Sequence, residues 1–169
     1  MILAAYAILA LVQAPPPAAA PAPAAGLRAR YDWGYVGADG EGKGTLSVLL
    51  ELEKGHVVLE LHGLGERLVL LQGDAGNGYR LQIPRQKVDR VVKALDELPV
   101  PFLPRLGTPE ALGRLLERGE GPGVKASDKD ALGPRKLRYQ GKDDQGNDLM
   151  VWLTRTRWER SPRVEPALR

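Results

Sequence analysis

The sequence predicts an α+β fold, in which a strongly bent antiparallel sheet forms an incomplete β-barrel and a helical pair, inserted before the last strands, closes it. Three observations support this prediction. Apolar and polar residues alternate with period two over much of residues 27–83 and again over residues 136–158. Short segments of turn-forming residues separate the apolar runs, and a helical spacing of apolar residues lies between the two strand regions.

The first predicted strand begins at residue 27, where one side carries Ala29, Tyr31, Trp33 and Tyr35 and the other side is mostly polar. Such alternation is typical of a strand with one buried face. The next strands are predicted at residues 45–52, 57–61, 67–71 and 79–83. Their connections are too short to contain a crossover helix, so we expect neighbouring strands to be antiparallel.

Two helices are predicted after these strands. Over residues 86–98 the apolar residues follow a helical period, and Pro99 ends the helix. The second helix has Thr108 as its N-cap, Pro109 at its first position and Gly119 after its end. The proline-rich residues 99–104 between them are expected to pack on the sheet, and residues 136–140 and 148–158 are expected to pair as a final hairpin.

The N-terminal residues predict export. Residues 2–12 form an apolar run, and residues 15–25 contain only alanine and proline. This run is too short to span a bilayer, but it has the length of a signal-peptide core. We therefore interpret residues 1–26 as a signal peptide or, alternatively, as an uncleaved N-terminal anchor on an Ala/Pro-rich spacer.

Composition and charge argue against several functions. The chain of 169 residues has no cysteine, which excludes disulfides, thiolate zinc sites and cysteine nucleophiles. The net charge of +3 arises within the last 15 residues, and only one phenylalanine is present, so the chain lacks the basic aromatic face of a nucleic-acid-binding protein. Gly42 and Lys43 resemble part of a phosphate-binding loop, but Gly44 stands where that loop needs Ser or Thr. We therefore predict a flexible loop here.

No catalytic or metal site is predicted. His56 and His62 lie on one side of a strand but roughly 20 Å apart, so they cannot share an ion, and Glu60 with His62 lacks a third ligand. The acidic residues 143–148 lack the spacing of a calcium loop. We expect no cofactor and no enzymatic activity; an enzyme that uses Glu60 and His62 is a third hypothesis, which loss of activity in His62→Ala would support.

Apolar residues occur on both sides of several predicted strands. Leu49, Val58, Val69 and Leu71 lie opposite the main apolar positions of their strands. This pattern indicates that both faces are covered, that one face lines an apolar cavity, or that an ordinary core has imperfect alternation. The cavity hypothesis assigns these binding residues: Leu46, Val48, Leu50, Leu59, Leu61, Leu68, Leu70, Leu81, Ile83, Val88, Val91, Val92, Leu95, Phe102, Leu112, Leu115 and Leu116. Leu64, flanked by glycines, is predicted to project from a hairpin tip.

Four stretches, taken in their order, resemble the LolA/LolB family of periplasmic lipoprotein carriers, and LolB more closely. They are residues 61–66 with the strand through Leu71, the helix end at residues 98–102, the leucine-rich helix to Gly119, and the closing hairpin from residue 133 to Trp158. The resemblance covers about residues 44–158. It implies a LolB-like incomplete barrel over residues 27–158, followed by a basic tail at residues 159–169.

The resemblance also implies a function. In this family helices close a barrel over an apolar cavity that receives the acyl chains of a lipoprotein, and in LolB-like proteins an apolar residue on a protruding loop, here Leu64, helps to insert the cargo into the outer membrane. LolB proteins are anchored through a lipidated cysteine, which this chain lacks. This departure argues against a membrane-resident receptor and leaves a soluble carrier or a divergent relative that kept only the shape of the family.

The leading hypothesis is therefore a non-enzymatic, monomeric periplasmic carrier that binds acyl chains of lipoproteins or other lipids and assists lipoprotein localisation through transient contact with the outer membrane. Binding by apolar burial would select mainly for chain length. The alternative is an envelope structural or assembly protein that uses the same sheet as a protein-docking surface. Neither hypothesis involves nucleic acid.

Overall fold

In the described part of the chain, nine antiparallel strands form one open sheet, in the order β6-β5-β4-β3-β2-β1-β9-β8-β7. The computed structural model describes residues 26–95, 107–143 and 145–161. The strands are β1 (Gly26–Gly37), β2 (Gly40–Glu51), β3 (His56–Gly63), β4 (Glu66–Asp74), β5 (Gly78–Ile83), β6 (Val88–Val92), β7 (Val124–Asp130), β8 (Gly133–Lys142) and β9 (Asp148–Ser161). Helix α1 spans Pro109–Arg118, and short 3-10 turns occupy Leu52–Lys54 and Pro84–Gln86.

The antiparallel hairpins of the first half are confirmed. From β1 to β6 each strand pairs with the one before it through a short connection, because the turn segments leave no room for a crossover. One loop prediction is wrong: residues 40–44 do not form a flexible loop but extend β2, where Gly40 pairs with Gly37 and Gly44 pairs with Trp33. Pairing with β1 satisfies the backbone of this glycine-rich stretch and overrides its weak strand propensity.

The predicted helix over residues 86–98 is wrong where the structure describes it. Pro84 begins a 3-10 turn, Lys87 adopts a positive φ of 53°, and the chain then forms β6, which pairs with β5 from Val88–Ile83 to Val92–Tyr79. The valines that suggested an amphipathic helix are β-branched and favour a strand once a neighbouring strand supplies hydrogen bonds. Residues 96–98 and the predicted linker 99–104 lie outside the described residues.

The predicted incomplete barrel closed by a helical pair is therefore also wrong. The sheet is open and ends at β6 and β7, which do not pair with each other. Among the described residues α1 is the one α-helix. The physical reason is that the segment needed for the first helix forms an edge strand and lengthens the sheet, so it cannot cover the sheet.

Helix α1 begins and ends where the sequence predicts. The Thr108 hydroxyl accepts a hydrogen bond from the Ala111 backbone N–H at 3.2 Å, Pro109 opens the first turn, and Gly119 follows the last turn with φ 74°. Its apolar side, formed by Leu112, Leu115 and Leu116, is buried against the sheet. The helix thus covers part of one face, called the inner face.

The inner face contains the hydrophobic core. Alternate residues of β1 through β5 and of β9 point to it and join the helix leucines in one cluster. In β4 the residues that face it are Val69 and Leu71, because a β-bulge opposite Leu61 and His62 shifts the alternation. Leu70, which the cavity hypothesis placed on the same side as Leu68, lies on the outer face opposite Glu60.

Strand β9, the last described strand, pairs with β1, the first described strand. It pairs with β1 along almost its whole length, from Gly26–Ser161 to Val36–Met150. Residues 159–161, predicted to begin the basic tail, therefore belong to the sheet. Residues 1–25 and 162–169 lie outside the described residues.

Candidate functional site

Leu64 occupies the tip of the β3–β4 hairpin. Its side chain is 87% exposed, which confirms the predicted projection from the loop. Gly63 pairs with Glu66, so Leu64 and Gly65 form a two-residue loop in which both residues have positive φ, 51° and 81°. Loops of this kind favour Asn-Gly, because a side chain such as leucine is strained at positive φ. Leu64 therefore lies in an unfavourable conformation and gains no burial.

A pocket of about 510 Å³ lies beside Leu64. Volumes of about 300 to 1,000 Å³ are typical of sites for small molecules. Aromatic and aliphatic side chains line it together with glycines and a few charged residues: Trp33, Tyr35, Glu41, Gly42, Lys43, Gly63, Leu64, Leu68, Arg85 and Trp152. The pocket therefore combines an apolar lining with ionic groups, as ligand sites commonly do.

Two stacked aromatic rings form part of the lining. The centroids of Trp33 and Tyr35 are 5.9 Å apart with an interplanar angle of 10°, and the Trp33 indole N–H donates to the His62 carbonyl at 2.9 Å. Two glycines of β2 leave space for the Tyr35 ring and for the carbonyl that accepts from Trp33. A Cβ on Gly42 would lie 2.5 Å from the Tyr35 ring, and one on Gly44 would lie 1.8 Å from the His62 carbonyl oxygen.

Trp152 reaches the pocket from β9. It is 38% exposed, and its flanking residues Val151 and Leu153 are buried. Gly34 is its partner across the β1–β9 pairing, and a Cβ on that glycine would lie 2.3 Å from the indole ring. The ring therefore lies directly over the Gly34 backbone, which only a residue without a side chain permits.

Charged groups surround the rings. The Arg85 guanidinium donates to the Glu66 carboxylate at 2.8 and 3.0 Å, which links the β3–β4 hairpin to the turn before β6. Lys43 and Glu41 lie on β2 at the other side of the pocket. This arrangement offers apolar contacts to a ligand chain and ionic groups to polar atoms at the rim.

Most residues of the cavity hypothesis lie in the core rather than around this pocket. Those buried in the inner-face cluster are Leu46, Val48, Leu50, Leu59, Leu61, Leu81, Ile83, Val92, Leu95, Leu112, Leu115 and Leu116. Val88 is half-buried against the cluster, and Leu68 is half-buried and lines the pocket. Val91 is 66% exposed on β6. Phe102 lies outside the described residues.

Sequence reasoning missed most of the pocket. The sequence pattern assigns Trp33 and Tyr35 only to a buried strand face and does not single out Trp152. The signal for Trp152 was a large aromatic residue between two buried apolar positions of a strand. The signal for the pocket was the pair of glycines at 34 and 42, which leave space beside aromatic residues.

The histidines and glutamates that could bind a metal or act in catalysis form two half-buried pairs. His62 Nε2 lies 3.5 Å from a Glu60 oxygen, and His56 Nδ1 lies 3.6 Å from a Glu51 oxygen. Over the described ranges, three or more His, Asp or Glu side chains do not gather closely enough to hold a metal ion. In the same ranges no helix has the length and apolar character needed to cross a membrane.

Neither a family model nor a curated protein matches this chain. Functional interpretation therefore depends on the pocket, the strained Leu64 and the chemistry of the surrounding side chains, and the resemblance to the LolA/LolB family stays a prediction.

Proposed function

We propose that this protein is a non-enzymatic carrier that binds acyl chains of lipoproteins or other lipids and releases them at a membrane. The observation that carries the proposal is Leu64, which is exposed and conformationally strained at the edge of an aromatic-lined pocket. An asparagine or glycine would adopt this backbone conformation with less strain. Strained residues of this kind are often found at functional sites. A contact with an apolar partner explains why leucine occupies the position.

Binding would be driven by burial of the alkyl chain. Each methylene removed from water contributes about 0.8 kcal/mol, so several methylenes against Trp33, Trp152 and Leu68 give useful affinity without a charged contact. Leu64 would contact the same chain or the membrane that receives it. Trp and Tyr rings with nearby Lys and Arg side chains suit the boundary between lipid and water.

In the cell, this activity fits a periplasmic protein that assists lipoprotein localisation to the outer membrane. The apolar run at residues 2–12 supports export. The LolB resemblance assigns the role of the protruding residue to Leu64, and its exposure supports that assignment. We propose that the carrier acts as a monomer and touches the membrane only during transfer.

Displacement of a fluorescent fatty acid and transfer of that fatty acid to phospholipid vesicles test the proposal. The wild-type protein is expected to bind the probe and deliver it. Leu64→Glu is expected to keep the fold and slow delivery, because a carboxylate at the hairpin tip opposes contact with apolar chains. Leu132→Glu is the matched control, since Leu132 is 44% exposed on the distant β7–β8 turn.

The two variants separate the outcomes. Slow delivery with Leu64→Glu and normal delivery with Leu132→Glu support the proposal. Absence of fatty-acid binding by the wild-type protein rejects the carrier function, and equal delivery by both variants rejects the role of Leu64.

The alternative is an envelope assembly protein that docks a protein partner on its sheet. Among the described strands β6 is an edge of the sheet, and Val91 on it is 66% exposed. This favours the alternative, because an edge strand has backbone groups that can pair with another chain. Lipid extracted from the purified protein would favour the carrier. A stoichiometric protein complex that Val91→Lys disrupts would favour the docking protein.

A further inference from the structure

A second polar site lies on the inner face, at the junction of β1 and β9. Tyr31 is fully buried, and its cross-strand partner Arg155 is 7% exposed. The Arg155 guanidinium carbon lies 5.1 Å from the centroid of the Trp158 ring. Three side chains that can each donate a hydrogen bond are therefore clustered inside the apolar core.

All three side chains have a buried polar atom without a hydrogen-bond partner: the Tyr31 hydroxyl, the Arg155 Nη1 and the Trp158 indole nitrogen. Leaving one buried donor unpaired costs about 1 to 3 kcal/mol, and native proteins rarely contain several such donors together. Because all three can donate, the group that best satisfies them is a hydrogen-bond acceptor.

The local charge favours a monoanionic acceptor. Arg155 donates through Nη2 to the Asp130 carboxylate at the end of β7, and Arg135 also lies close enough to act on that carboxylate. On the neighbouring surface Arg160 pairs with Glu117 of α1 at 3.4 Å. Burial raises the pKa of the Tyr31 hydroxyl, which therefore stays protonated and able to donate at neutral pH. A carboxylate balances the excess positive charge better than a dianionic phosphate does.

We propose that Tyr31, Arg155 and Trp158 bind the carboxylate of an acyl-chain ligand. This assignment rests on the proposed function and narrows its ligand to free fatty acids, because the acyl chains of a lipoprotein are ester- or amide-linked and have no free carboxylate. It predicts selectivity for fatty acids over uncharged lipids of equal chain length.

The position of the donors relative to the pocket fits such a ligand. Trp33, which lines the pocket, lies two residues from Tyr31 on the same face of β1, which is about 7 Å along the strand. Trp158 is half-buried and the Asp130 side chain is 41% exposed, so the donors are close to the protein surface. A carboxylate held by these donors would therefore lie about 7 Å along β1 from Trp33, whose side chain lines the pocket.

Calorimetric titration with decanoate and decanol tests the proposal, because these probes have the same chain length and differ in the charged group. The full chain is expected to bind decanoate about tenfold more tightly, the effect of a hydrogen bond to a charged group. Arg155→Met is expected to remove this preference. Equal affinity of the wild-type protein for the two probes would overturn the proposal and leave bound water as the partner of the donors.

Tyr31→Phe provides the second variant, because Arg155→Met leaves Asp130 without its partner and can impair folding. Phenylalanine fills nearly the same volume and removes a hydroxyl that has no partner, so the variant is expected to fold at least as well as wild type. Its decanoate affinity is expected to fall roughly fivefold while its decanol affinity stays unchanged. Tyr139→Phe on β8 is the matched control, and preserved decanoate affinity in Tyr31→Phe would contradict the proposal.

Titration with acetate and inorganic phosphate separates this proposal from the carrier function. If neither ten-carbon probe binds, the carrier function fails, and the indole N–H NMR signal of Trp158 then decides the present proposal. A shift with acetate that Arg155→Met removes supports a carboxylate site that is independent of acyl chains. No shift with acetate, or a larger shift with phosphate, overturns it.

Discussion

At the scale of single residues, Leu64 combines backbone strain with exposure of an apolar side chain. Leu64 has a φ of 51°. Among the described non-glycine residues, Lys87 and Asp128 also have a positive φ, but both have polar side chains suited to water. Only at Leu64 does a positive φ coincide with a large exposed aliphatic group in the described part of the chain. Neither the backbone conformation of Leu64 nor its side chain therefore contributes to the stability of the fold.

Leu64→Asn is predicted to raise the free energy of unfolding by about 1 kcal/mol while slowing fatty-acid transfer to vesicles. Asparagine tolerates the left-handed conformation, whereas leucine is strained there. Urea unfolding and the transfer assay measure the two effects. Lys87→Asn, at a similar φ of 53°, is the control and should change stability without changing transfer. A variant at Leu64 that is no more stable than wild type would contradict the strain argument.

Gly34 determines where Trp152 lies. Gly34→Ala is predicted to destabilise the protein by about 1 to 3 kcal/mol and to weaken fatty-acid binding, because its Cβ would lie 2.3 Å from the Trp152 ring and displace it from the pocket. Gly37→Ala on the same strand is the milder control, since its nearest contact, with Leu149, is at 3.3 Å. Equal probe affinity in the two variants would show that Trp152 does not contribute to binding.

At the scale of secondary-structure elements, β6 shows that pairing with a neighbouring strand can favour a strand in a segment whose apolar spacing also fits a helix. Side chains reinforce its pairing with β5. The Arg80 guanidinium donates to both Asp89 carboxylate oxygens at 2.8 and 2.6 Å, and the Gln82 amide donates at 3.1 Å. These hydrogen bonds hold the edge strand against the sheet although Asp89 and Arg80 are exposed to solvent.

The stability of this edge is predicted to depend on pH in the acid range. The hydrogen bond from the Arg80 side chain, with that from Gln82, lowers the pKa of Asp89 from 3.8 to about 2. A carboxylate with a lowered pKa in the folded state stabilises the protein above its unfolded pKa, and this contribution is lost as the pH falls from 3.8 towards 2. Because the pair is exposed, high salt should reduce the effect.

Asp89→Asn tests this pH dependence. The variant is expected to be less stable than wild type at pH 5, and the difference should shrink as the pH approaches 2. Urea unfolding at pH 5, 3 and 2 measures it, and Asp39→Asn in the β1–β2 turn is the control. A constant difference between wild type and Asp89→Asn at all three pH values would contradict the assignment.

At the scale of the whole molecule, the β1–β9 pairing unites the two strand regions into one sheet. It brings Trp33 beside Leu153 and Tyr31 beside Arg155, although these residues are more than a hundred positions apart in the chain. Both the pocket and the inner polar site depend on this junction. Trp152 joins the pocket, and Arg155 and Trp158 join Tyr31, only when β9 has paired with β1.

Leu153→Ala is predicted to lower the free energy of unfolding by about 2 to 5 kcal/mol, because Leu153 is 5% exposed and pairs with both Trp33 on β1 and Leu137 on β8. The loss should occur in a single cooperative transition, since the junction belongs to one continuous core. Leu132→Ala, at an exposed turn, is expected to change stability by less than about 0.5 kcal/mol. Similar losses in both variants would contradict the central role of the junction.

Much of the fold could be predicted from local sequence signals. Hairpins follow from short turns between apolar runs, and α1 follows from the N-cap Thr108 and the terminal Gly119, because these signals act within a few residues. The spacing of the valines around Val91 does not determine the secondary structure, since it fits an amphipathic helix as well as an edge strand. The bulge in β4 likewise changes which leucines face the core without leaving a clear mark in the sequence.

The sequence by itself determined the antiparallel strands of the first half, the position of α1 and the projection of Leu64, because turns, caps and flanking glycines act locally. Tertiary structure alone decided that residues 88–92 form a strand, that the sheet is open, and that Trp33, Leu64 and Trp152 line one pocket. Those outcomes depend on hydrogen bonds and contacts between segments far apart in the chain, whose pairing no local pattern specifies.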